Sequence, residues 1–382
     1  MKPISTLAKT RALNIYSFII SLIIILILSM VSIPPDVDGI VYSAIILIYT
    51  AGLIIIITDQ QRYNHDAIWL ILMTLLSSYI LTNAILNNVD YRVWPKFVSL
   101  ILITPFSIRL LSILRSRQSE NWWFYLVMAF LLQLIMVCMY KLIFGFFDRS
   151  VRFLINGPIV FAWLTGIYAI LWVSKVNSTK VSISIVVSCV LIMLWTQSKG
   201  PILSLAVAYL YFVGWQRISL ILLGLIVLGL IFPPQWLDLG WLGSGRIGMF
   251  IEALTGDISL TEFRTFSHRM DLIIESWFIF MDNPFFGTGP SVTNYVIQSE
   301  NYTYPHNLFL EILSEYGIFG FVLFTLFLLK VFLSANHSGQ SVFIFMICCL
   351  NFSGDLSYWP LLVAIASVDR KKYEQQNITH GV

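Results

Sequence analysis

The sequence predicts an all-α polytopic membrane protein of about 12 transmembrane helices, with one large outer loop carrying an amphipathic helix. Three observations carry that expectation. Of 382 residues, 58% are hydrophobic and 11% charged, with a mean hydropathy of +0.83. A soluble domain holds about 25% charged residues and needs them to stay in water. Uncharged apolar runs near the roughly 20 residues that a helix needs to span a bilayer recur from residue 12 to residue 369. Lys and Arg also fall unevenly between alternate connections. The net charge of +3 and pI near 8.6, with no clustered basic face, argue against a nucleic-acid partner.

The first apolar run, Leu13–Ile33, is too long for a signal-peptide core and has no small-residue cleavage site after it, so it reads as a retained span. Further spans are expected at 40–58, 66–86, 94–114, 121–142, 157–174, 180–197, 200–215 and 217–232. After them comes the long non-hydrophobic stretch 233–305, then spans at 306–333, 341–353 and 357–369, the last two split by Ser353-Gly354-Asp355. The domain reading is therefore a nine-span bundle (1–232), a large outer loop (233–305), three C-terminal spans (306–369) and a cytoplasmic tail (370–382). Cys138, Cys189, Cys348 and Cys349 all lie in apolar stretches and read as buried thiols.

With the N-terminus in the cytoplasm, 14 of the 23 Lys and Arg fall inside and 9 outside. An eleven-span reading would export Arg370-Lys371-Lys372, against the positive-inside rule. Of the outer basic residues, Arg92 and Lys96 are expected to be interfacial anchors. Lys199, Arg269 and the Arg149/Arg152 pair sit in more informative surroundings.

Within the loop, Met270, Ile273, Ile274, Trp277, Phe278 and Met281 form one apolar stripe at helical spacing, ending at Asn283-Pro284. This is expected to be a surface helix along the outer membrane face with Arg269 in its first turn. Three segments bear polar residues suited to chemistry. Thr196-Gln197-Ser198-Lys199-Gly200-Pro201 breaks two spans, and Pro201 suits a helix start, where backbone N–H groups favour an anion near Lys199. Asn283-Pro284-Phe285-Phe286-Gly287-Thr288-Gly289-Pro290 has no strand before it, which excludes a nucleotide-binding glycine loop; it reads as a tight turn allowing close backbone packing. In Tyr304-Pro305-His306-Asn307, Pro305 is expected to start a helix with His306 in its first turn. Asn307, Glu311, Ser314 and Glu315 then fall on one polar face of an apolar helix. Carboxylates in a span are costly and face a cavity or a partner.

The run Arg269…Trp277…Asp282-Asn283-Pro284-Phe285-Phe286-Gly287-Thr288-Gly289, followed by Pro305-His306-Asn307…Leu310-Glu311…Glu315…Gly317-Ile318…Gly320, resembles the signature of the O-antigen polymerase and O-antigen ligase family. Thr196-Gln197-Ser198-Lys199-Gly200 is similar to that family's other landmark, although the family usually has Arg where this chain has Lys199. The resemblance covers residues 195–320 by motif and the rest by hydropathy alone. It implies a bundle of about a dozen spans in the bacterial inner membrane, with a periplasmic loop over an outward-facing cavity. It also implies transfer of glycan from an undecaprenyl-diphosphate-linked oligosaccharide with no metal and no other cofactor. A chain-length regulator membrane protein is the expected protein partner. His306 is the implied base, with Arg269 as the second catalytic residue. Lys199, Arg152, Arg149, Asn307 and Glu311 are the expected substrate-binding residues, with Arg269 and Lys199 on the diphosphate.

The residues make chemical sense beside the resemblance. A leaving lipid diphosphate needs cationic neutralisation, and an acceptor hydroxyl needs a base such as His. No Asp-x-Asp or His-x-x-x-His spacing supports a metal. A transporter of lipid-linked sugars, the rival class, predicts mid-span charges and symmetric broken helices. Polymerase is favoured over ligase because the Tyr-Pro-His-Asn…Leu-Glu pattern looks closer to polymerases.

Overall fold

The computed structural model describes residues 4–30, 39–59, 67–87, 94–118, 121–146, 155–213, 264–290, 305–354 and 356–369. Among them the chain is all-helical, with no strand. In chain order the helices are α1 (Ile4–Ser29), α2 (Gly39–Thr58), α3 (Ala67–Leu86), the short α4 (Trp94–Phe97), α5 (Thr104–Gln118), α6 (Trp122–Phe144), α7 (Gly157–Val173), α8 (Thr179–Trp195), α9 (Lys199–Val213), α10 (Arg264–Asp282), α11 (Leu308–Ser334), α12 (His337–Ser353) and α13 (Trp359–Val368). A π-helical segment, Val98–Ile103, joins α4 to α5, and a 3₁₀ turn, Leu356–Tyr358, leads into α13. The expected span at 217–232, most of the loop 233–305 and the tail 370–382 lie outside the described residues.

Among the described residues, four stretches are long and apolar enough to cross a membrane, Ala12–Ser29, Val98–Gln118, Trp122–Phe144 and Leu308–Ser334, and shorter apolar helices accompany them. The protein is a multi-pass membrane protein. Exposed Ile, Leu, Val and Phe side chains line many helices, as a lipid-facing surface requires. α7 runs through the middle of the bundle, buried on all sides against α6, α8, α9 and α12. Phe130 of α6 stacks on Tyr168 of α7 with ring centroids 4.3 Å apart. On the other flank, Phe327 of α11 stacks on Trp359 of α13.

Two departures from regular helix shape the site. The span expected as one helix at 94–114 is broken by the π segment. Pro105 has no N–H to return to the carbonyl of Ile101, so the ladder slips and Thr104 N–H reaches back to Ser99 O. The Ser99 hydroxyl in turn donates to Ser357 O in the 3₁₀ turn. The second break lies inside α11 at Gly317, whose φ of 64° and ψ of −167° are not helical. The outer stripe of α10 also differs from a protein-packed face. Leu272, Ser276 and Phe280 turn inward, whereas Ile274, Trp277, Phe278 and Met281 point away from the protein, the face an interfacial helix offers to lipid. Its start at Arg264 puts Arg269 in the second turn, not the first.

Candidate functional site

The site is built around the start of α11. That helix begins at Leu308, two residues later than Pro305 suggested, because Asn307 takes the N-cap position and its side-chain oxygen accepts from Leu310 N–H at 3.0 Å. His306 therefore stands outside the helix, in the left-handed region at φ 56°. A side chain with a Cβ rarely sits there. Among the described residues, the non-glycine positions with positive φ are His306 and Gln197. Each belongs to one of the segments singled out in the sequence, and such strain concentrates at functional sites. Pro305 is buried, His306 is half-buried, and the Nδ1 edge of its ring is sealed from solvent.

Directly below His306 lies a buried charge cluster. Glu311 and Glu315, one turn apart on α11, are both fully buried. Lys96 of α4 is 3% exposed and meets Glu311 Oε1 and Glu315 Oε1, each at 2.5 Å. Glu311 Oε2 also accepts from Leu356 N–H at 3.0 Å. The polar face read from the sequence is therefore present, but it points into the bundle. Lys96, expected as an interfacial anchor, is instead its counter-charge. The signal was available: two carboxylates in one span need a cation, because an unpaired buried charge is prohibitively unfavourable. Which cation would answer was decided by tertiary structure.

The break at Gly317 is filled by the Asn-Pro-Phe-Phe-Gly segment. Thr288 N–H donates to Ser314 O at 3.0 Å and Gly289 N–H to Glu315 O at 2.9 Å. In return, Ile318 N–H donates to Pro284 O at 2.8 Å and Phe319 N–H to Phe285 O at 3.2 Å. Tyr79 and Asn83 of α3 complete the set, through Tyr79 O–H to Tyr316 O and Asn83 Nδ2 to Phe286 O, both at 2.7 Å. Gly287 and Gly317 lie where the two backbones cross. Both have positive φ, and a Cβ on either would run into the other strand's carbonyl. The expected close-packing turn is what the structure contains.

The Lys199 segment reaches the same end of the bundle. α8 ends at Trp195, Gln197 turns at φ 54°, and Lys199 opens α9 as a half-buried side chain. Gly200 packs against the last turn of α12 at Phe352, where a Cβ would come within 3.2 Å of Phe352 Cβ. One residue earlier, Asn351 Oδ1 lies 3.4 Å from Phe309 N at the start of α11. The Lys199 turn and the His306 turn thus flank one helix end. Lys141, fully buried on α6, adds a cation there: its ammonium stands 4.4 Å over the Trp195 ring, whose indole N–H is fixed on Phe146 O. Nothing in its local sequence distinguished Lys141 from an ordinary end-of-span lysine.

The other expected site residues are less informative. Asn307 has its side-chain oxygen on the cap, and Glu311 is held in the buried cluster. Arg269 lies on α10 with its side chain outside the described residues, as are Arg149 and Arg152 altogether. Chemically, the described arrangement offers an imidazole on a left-handed backbone beside a helix start, cations at the α8–α9 turn, and a carboxylate–ammonium cluster beneath.

Residues 184–325 match the sequence profile of the O-antigen ligase family. The matched stretch contains the Lys199 turn, α10, the crossing at Gly287 and Gly317, and the His306 turn; Lys96 and Lys141 lie outside it. No curated protein matches the chain.

Proposed function

We propose that this chain is a membrane glycosyltransferase of O-antigen assembly that joins undecaprenyl-diphosphate-linked repeat units into polymer at the outer face of the inner membrane. The match over residues 184–325 supports a role in O-antigen and lipopolysaccharide assembly and a glycosyl-transferring activity. The observation that supports glycosyl transfer at this place is that the turn carrying Lys199 and the start of α11, next to His306, both contact the last turn of α12, through Gly200 and Phe309. In the proposed reaction the acceptor hydroxyl attacks the anomeric carbon of the donor glycan. Its proton passes to His306, and the bond from that carbon to the diphosphate oxygen breaks. The diphosphate leaves with its lipid, and in this reading Lys199 and the N-terminus of α9 stabilise the new negative charge. The bias of 14 inner against 9 outer basic residues supports this end of the bundle as the outer one.

A ligase reading, transfer of the finished glycan to lipid A core, uses the same donor and is favoured by the profile's own description. The break at Gly317 is a feature of transporters, but here its freed backbone groups are taken up by residues 284–289 and Tyr79, which supports a fixed structure over a moving gate. The surface glycan of a deletion strain separates the readings. Core carrying one repeat unit is expected from loss of a polymerase. Bare core with intact lipid-linked polymer would replace that reading with ligase, and retention of lipid-linked units on the cytoplasmic side would replace it with transport.

A further inference from the structure

We infer that Lys96 is a positioning residue for His306, acting through Glu311 and Glu315; this rests on the glycosyl-transfer reading of the same site. The argument begins with the break in α11. Because Gly317 is not helical, residues 308–316 form a short rod that does not inherit its position from the longer half of the helix. Lateral contacts must set it, and they come from two sides. The crossing with residues 284–289 and Tyr79 hold its lower end. Lys96 grips its inner face at both Glu311 and Glu315, and Leu356 N–H holds the second oxygen of Glu311.

Lys96 is itself held in place. It sits on α4 just before the π segment, and that segment is tied through the Ser99 hydroxyl to Ser357, next to Leu356. The contacts form a closed circuit from Lys96 to Glu311, Leu356, Ser357, Ser99 and back to α4. His306 is one residue beyond the Asn307 cap of this rod, on a turn whose left-handed backbone leaves it little freedom of its own. A shift of the rod therefore moves the imidazole relative to the Lys199 turn. A displacement of about 1 Å in a reacting group lowers rate by roughly 10²-fold.

The test uses the purified full chain in nanodiscs, with the lipid-linked repeat unit extracted from its deletion strain as both donor and acceptor. Lys96→Met is expected to lower kcat by about 10²-fold with KM for the donor little changed. Lys96→Arg is expected to keep kcat within about tenfold, because a guanidinium also bridges two carboxylates. The exchanged pair Lys96→Glu with Glu315→Lys keeps one ammonium and two carboxylates, and is expected to recover about tenfold or more over Lys96→Met. Hydrogen exchange of residues 305–316 should rise in Lys96→Met and return in the exchanged pair. Wild-type kcat in Lys96→Met overturns the inference. So does a loss confined to KM, or an exchanged pair and Lys96→Arg both as slow as Lys96→Met, since Lys96 would then act on the substrate. If Lys96→Met does not accumulate, a kcat more than about tenfold below wild type in both Lys96→Arg and the exchanged pair overturns the inference. His306→Ala is the control: a wild-type rate there removes the glycosyl-transfer reading, whereas an inactive His306→Ala beside a fully active Lys96→Met removes the inference only.

Discussion

The bundle buries carboxylates against cations at both ends, and the two clusters differ in what surrounds them. At one end Asp59 faces Arg117 at 2.9 Å and Arg109 at 4.0 Å, and Arg117 also lies 4.9 Å over the Tyr16 ring. The neighbouring helices α1, α2 and α5 are regular there, and Gln118 ties α5 to Ser17 of α1. At the other end, Lys96, Glu311 and Glu315 sit among a π segment, a 3₁₀ turn, a broken helix and a left-handed histidine. Charge burial alone therefore does not single out a site: the Asp59 cluster joins regular helices, and its expected role is to pin them together. Charge burial together with backbone irregularity is what distinguishes the proposed site, since departures from regular geometry persist only where the surrounding structure enforces them.

The sharpest way to break this comparison is to delete a group at each end. His306→Ala is expected to lower glycan product by about 10²–10⁴-fold while the protein accumulates normally in membranes. Asp59→Asn should leave product per molecule unchanged. Equal losses of product in the two variants would erase the distinction between the ends.

Next in size is the crossing beneath the site. Gly317→Ala forces a Cβ onto a residue at φ 64° and into the Phe285 carbonyl. A loss of about 2–4 kcal/mol is expected, read as a lower Tm of the detergent-solubilised protein. Gly287→Ala attacks the same crossing from the other side, so the double variant should lose less than the two single losses added. Simple additivity would mean that the two glycines serve separate features.

Asp59→Asn should then show a smaller effect, roughly 1–2 kcal/mol, because both arginines keep partial solvent contact and screening weakens the pair. Asn307→Ala is the smallest, about 1 kcal/mol from the lost cap, with Asn307→Asp or Asn307→Ser close to wild type. A collapse of product in Asn307→Ala at undiminished stability would show that Asn307 touches substrate as well as capping α11.

Much of this protein was legible in its residues, and the reasons are physical. In lipid every backbone group must be satisfied within the segment, so a run of apolar residues of sufficient length dictates a helix almost regardless of context. Hydropathy thus located most of the described helices, Pro284 correctly ended α10, and Gly287, Thr288 and Gly289 announced a close turn. Asn307 and Pro305 bracketed the start of α11 to within two residues. The miss there came from weighing Pro305 above the cap that an Asn side chain makes. The spacing of Glu311, Ser314 and Glu315 also identified a polar face on an apolar helix.

Which groups that face would meet was not contained in any local pattern. Lys96 and Glu315 are 219 positions apart, and an interfacial lysine and a buried one have the same short-range sequence. Only the packing of α4 against the Leu356 turn turned the Lys96 ammonium inward, where the low dielectric makes its pairing with two carboxylates obligatory. Tertiary contacts likewise decided that the Asn-Pro-Phe-Phe-Gly turn fills a break in another helix, and that Lys141 lies under Trp195. Periodicity and caps act over one or two turns, so the sequence determined where most described helices lie, but not the breaks at Val98–Ile103 and Gly317. Charge neutralisation acts between whichever surfaces the fold brings together, so the partners within the site were determined by the bundle.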